Sequence, residues 1–129
     1  MSFWFEPSRS APKEQGDGNW QVVDLHPTDL ALGKKHKLET WCNGYCGNTD
    51  SLTFGTKSDR YLLSKLLGPG FTVFMNEWAP PEIVQYWGRR LEELLSTSMF
   101  RTDETAYLRN YADWLQALGR RGIGLYLSN

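Results

Sequence analysis

Cysteine and histidine are scarce in this chain. Cys42 and Cys46 are the only thiols in 129 residues, and His26 and His36 the only imidazoles. A disulfide scaffold needs more than one such pair, so the expectation is a reduced compartment with two free thiols. Long apolar runs are absent too. The longest span only a few residues, far below the roughly 20 that cross a bilayer. The opening Met-Ser-Phe-Trp-Phe-Glu-Pro lacks the basic and apolar segments of a secretory signal, so a cytoplasmic protein with no membrane partner is expected. Nor is there an excess of one charge. The net charge is −1; residues 1–57 hold six Lys/Arg against seven Asp/Glu, and residues 58–129 hold eight against eight. Phosphate neutralisation supplies much of the affinity for nucleic acid, so this balance argues against a nucleic-acid partner.

Catalytic and cofactor motifs are missing as well. The chain has no Gly-x-Ser-x-Gly elbow and no glycine-rich phosphate cradle. Asp24-x-His26 would need its strand to continue to Pro27 before acid and base shared a face, and an exposed turn histidine is the plainer reading. Gly68-Pro69-Gly70 and Arg120-Arg121-Gly122-Ile123-Gly124 read as turns and helix stops. The nearest approach to a metal constellation is Cys42-x-x-x-Cys46 with His36 and His26 upstream, because zinc takes four N/S ligands, commonly with a Cys-x2–4-Cys pair. His26, however, lies beside Pro27 on a separate segment. One pair alone does not make such a site. No cofactor, no metal and no catalytic residue are therefore expected, and a small zinc-binding or enzymatic domain using His36, Cys42 and Cys46 is the alternative.

What the chain does have is apolar and aromatic material: 40% hydrophobic residues, 14% aromatic, six tryptophans. That is enough for one globular core, and 129 residues fit a single domain. Its first part, 1–57, is loop-rich with β segments. Phe3-Trp4-Phe5 reads as a strand ended by Pro7, and residues 7–19 as a loop. Residues 20–25 and 35–42 are β-prone, and Asn43-Gly44 suits a tight reversal into a short strand at 51–54.

Residues 58–129 read as helix, strand, helix, helix, strand. The first helix, 58–67, has Ser58 as its N-cap and a stripe of Tyr61, Leu62, Lys65 and Leu66. An apolar strand is expected over 71–78. Helices follow over 81–96, with Pro81 at its first position, and 103–119, capped by Thr102 or Asp103. Ile83, Val84, Trp87, Leu91, Leu94 and Leu95 face inward on one; Tyr107, Leu108, Tyr111, Leu115 and Leu118 do so on the other. A closing strand covers 122–127. The fold class is α+β, a short sheet with about three helices on one face.

Recognition residues sit commonly at strand ends and in the loops after them, and Trp and Tyr are favoured interface anchors. Glu77 and Trp78 before the Pro80-Pro81 step, Trp114 at the margin of its stripe, and Tyr45 are the expected partner-binding residues. Core or rim packing is the alternative for each.

The order from Ser58 onward, with Phe71-Thr-Val-Phe-Met-Asn-Glu-Trp78, the helical stretch Ala106 to Leu118, and Arg121-Gly-Ile-Gly-Leu-Tyr-Leu-Ser128, is similar to that of barstar-type ribonuclease inhibitors. That likeness implies helices covering a short parallel sheet, with an acidic recognition helix at 58–67. The segment holds one acid and two bases, so no binding residue is carried over. More broadly the chain resembles the immunity proteins that neutralise bacterial polymorphic toxins, including those of contact-dependent inhibition. This implies a non-enzymatic protein whose partner is a cognate toxin. Elemental analysis tests the metal alternative. Structural zinc binds tightly, so a free-thiol protein should retain less than about 0.1 zinc per chain, and stoichiometric zinc would favour the alternative.

Overall fold

The computed structural model describes residues 4–9, 13–14, 20–21, 40–41, 53–54 and 57–128. Its strands are β1 (Trp4–Ser8), β2 (Lys13–Glu14), β3 (Trp20–Gln21), β4 (Thr40–Trp41), β5 (Thr53–Phe54), β6 (Trp78–Ala79) and β7 (Gly124–Ser128). The helices are α1 (Lys57–Leu67), α2 (Pro69–Thr72), α3 (Pro81–Thr97) and α4 (Thr102–Arg120). This is an α+β fold. The main sheet runs β4-β5-β1-β7-β6 with every strand pair antiparallel, and β2 and β3 form a separate pair. The parallel sheet implied by the inhibitor likeness is thus not the one that forms.

β1 and β7 are the centre of that sheet, paired from Trp4↔Ser128 to Ser8↔Gly124. Side chains alternate along a strand, so Phe5 and Pro7 share a face with their partners Leu127 and Leu125, and with Ala79 of β6. All five are buried. The helices lie over this face. Phe5 meets Phe71 of α2 with ring centroids 6.2 Å apart, and Tyr111 and Trp114 of α4 at 6.0 Å each. Trp87 of α3 continues the cluster, 5.1 Å from Phe71 and 5.6 Å from Phe74. Its indole N–H donates to the Gly70 carbonyl at 3.1 Å, so the buried ring leaves no polar atom stranded.

α3 and α4 form an antiparallel hairpin whose backbones nearly touch. A Cβ placed on Gly88 would lie 2.8 Å from the Ala112 carbonyl oxygen and 2.7 Å from Gln116 Cγ. One on Gly119 would lie 2.8 Å from the Pro81 carbonyl oxygen and would overlap Gln85. Small residues at both crossings allow this approach, and Gln116 Nε2 donates to Glu92 Oε2 at 2.9 Å further along. At the C-terminal end of α4, the Arg9 guanidinium donates to the Arg121 carbonyl at 2.6 Å, tying the exit of β1 to the helix C-terminus. A cation is favourable there because the last carbonyls of a helix carry partial negative charge.

Several expectations are corrected. The strand over 71–78 does not form: Gly68 and Pro69 start the single turn α2, and only Trp78–Ala79 is strand. Phe71 and Phe74 are three apart, which suits a helical turn laid on Trp87, and a short apolar run does not reveal its own period. β1 passes through Pro7 to Ser8. Among the described residues β5 pairs with β1 only at Phe5↔Phe54, and Pro7 is paired with Leu125 on the β7 side. The loop assigned to 7–19 contains β2, whose Lys13 and Glu14 pair with Gln21 and Trp20. α1 begins at Lys57, which puts Ser58 inside it, and its buried stripe centres on Leu63 while Tyr61 is exposed. At α4, Arg101 takes the cap position and Glu104 accepts its backbone N–H at 3.2 Å. Tyr107 is 40% exposed rather than part of the core. β4 and β5 pair as expected, Trp41↔Thr53, but the Asn43-Gly44 reversal lies outside the described residues.

Chemical denaturation tests the role given to Phe5. Truncating a buried aromatic costs about 3–5 kcal/mol, and Phe5→Ala should fall in that range. Tyr86→Ala, on the exposed side of α3, should stay within about 0.5 kcal/mol. Similar losses for the two would contradict this arrangement.

Candidate functional site

The segment from Gly68 to Trp78 links α1 to β6, and its backbone is bonded nearly throughout. The Gly68 N–H donates to the Ser64 carbonyl at 2.9 Å, closing α1. Within the turn, the Val73 N–H donates to Pro69 O at 3.1 Å and Phe74 N–H to Phe71 O at 3.1 Å. Met75 N–H donates to Thr72 O at 3.1 Å, and Glu77 N–H to Phe74 O at 2.9 Å. The far end is held by β7: Asn76 N–H reaches Leu127 O at 2.7 Å, and Leu127 N–H reaches Glu77 O at 3.1 Å. Asn76 adopts φ 60°, a left-handed conformation that asparagine tolerates better than most residues.

Phe71 is buried beneath this turn and Phe74 packs on the core, while Thr72, Val73, Asn76 and Glu77 face solvent. Val73 is 68% exposed. Glu77 and Glu82 are the only charged residues from Leu66 to Gly88, with Lys65 and Arg89 next on either side.

Trp78 closes the segment. It pairs with Tyr126, which places both on the sheet face away from Phe5 and the helices. Its indole lies over Gly124: a Cβ there would come within 2.7 Å of Trp78 Cε2 and would overlap the Ala79 carbonyl oxygen. The ring N–H donates to the Ser8 carbonyl at 3.2 Å, so Trp78 bridges β7 and reaches β1. The side chain remains only half-buried.

The expected site residues therefore divide. Glu77 and Trp78 are adjacent, one exposed and the other half-exposed. Trp114 is 0% exposed, so the partial burial expected for it is corrected: it touches Phe5 and Tyr111 inside the core. Its position follows from α4 packing on two sides, with Ala112 and Gly119 against α3 and Tyr111 and Trp114 against β1. Tyr45 lies outside the described residues, as do His36, Cys42 and Cys46. Among the described residues no group of three or more His, Cys, Asp or Glu could hold a metal ion, and no helix is long and apolar enough to cross a membrane.

Sequence reasoning missed Val73 and Asn76, because both fell inside the supposed strand. The signal was present in Gly68-Pro69-Gly70 followed by two aromatics three apart and an asparagine, which is turn chemistry. Comparison with models of protein families, with curated proteins and with solved structures finds no match.

The Trp78 bridge makes an ordered pair of expectations for denaturation. Trp78→Phe keeps most of the ring and removes the bond to Ser8, a loss of about 0.5–1.5 kcal/mol. Gly124→Ala forces a methyl into the ring and the Ala79 carbonyl, and overpacking of this kind costs about 1–3 kcal/mol. Gly124→Ala should be the more damaging; a neutral Gly124→Ala would show that the indole does not lie over that position.

Proposed function

We propose that this protein is a non-enzymatic, cytoplasmic immunity-type protein that binds a partner toxin and neutralises it, with the turn at 72–78 as part of its binding surface. The observation that carries the reading is the combination found in that turn. A backbone fixed by hydrogen bonds at both ends presents an exposed valine, a left-handed asparagine and an exposed glutamate beside a half-buried tryptophan. A surface ordered before binding loses little conformational entropy when the partner arrives, which favours affinity. Its parts suit protein recognition: an aromatic anchor, an exposed apolar side chain on the same turn, and an exposed charge.

Glu77 and Trp78 are the anchors, and Val73 joins them in place of the buried Trp114. The exposed Glu77 beside Trp78 favours a partner that presents Lys or Arg beside an apolar patch. A stable complex buries about 1,200–2,000 Å² in total, more than one turn supplies, so the interface extends to neighbouring surface. Tyr45 is the proposed contributor from the first part of the chain.

The test is capture from the native cytosol, followed by titration of the recovered partner against variants. A stoichiometric protein partner is expected. Glu77→Lys and Val73→Asp change exposed side chains, so folding stability should move by less than about 0.5 kcal/mol. If each removes a central contact worth more than about 1.4 kcal/mol, the affinity falls at least about tenfold. Recovery of no stoichiometric partner, or unchanged affinity in both variants, would overturn the proposal.

A further inference from the structure

We draw no further inference here: the strongest candidate, the face of the main sheet that carries the half-buried Trp78 and Tyr126 away from the helices, carries nothing because nothing in the structure shows what covers it.

Discussion

Phe5 stands on the central strand of the sheet and reaches into a group of rings contributed by α2 and α4, and the layout of the protein depends on that contact. Its neighbours Phe71, Tyr111 and Trp114 come from segments far apart in sequence. Each such aromatic pair contributes about 0.5–1.5 kcal/mol beyond the area it buries, so a residue touching three of them sets the position of two helices at once. Phe71 in turn orients Trp87, and through it α3. The antiparallel pairing of β1 with β7 brings residues 4–8 beside 124–128, so the sheet is completed only when the two extremes of the described chain meet.

Close helix packing answers the same constraint from the other side. α4 must sit near enough to the sheet for Tyr111 and Trp114 to reach Phe5, and near enough to α3 to exclude water between them. Gly88 and Gly119 permit the second requirement because neither approach leaves room for a Cβ. The hairpin is therefore specified by residues that contribute almost no apolar area of their own. α2 lies between the sheet and Trp87, and Thr72 and Val73 just after Phe71 are carried outward beyond the core. The exposed turn at 72–77 follows from that packing, bonded to β7 on one side and seated on buried phenylalanine on the other.

The legible parts of the sequence were the long periodic ones. α3 and α4 follow from apolar spacing of 3.6 and from Pro81 at a first helical position, and their ends shift by no more than a residue or so. β7 follows from alternation, with its start two residues later than expected. The α+β class was legible because these elements dominate the described residues. The 71–78 segment was not, since eight mostly apolar residues fit a strand or a buried turn equally well until their neighbours are known. Trp114 was misplaced because a helical stripe assumes one buried side, and α4 has two. Tyr61 and Tyr107 err the other way, as aromatic residues assigned inward that the packing leaves at the surface. Of the candidate site, Glu77 and Trp78 were visible from the strand end and the Pro80-Pro81 step; Val73 and Asn76 needed the turn.

Among the described residues most of the aromatic side chains serve the core, and those left outward are few. Native-state hydrogen exchange measures the dependence on β1 directly, because it reports the opening free energy of each amide. If Phe5 locks the strand into the core, the amides of β1 bonded to β7 exchange only by global unfolding, with the same free energy as those in the middle of α3 and α4. Exchange of β1 by a local opening several kcal/mol below the global value, with α3 and α4 still protected, would contradict the account.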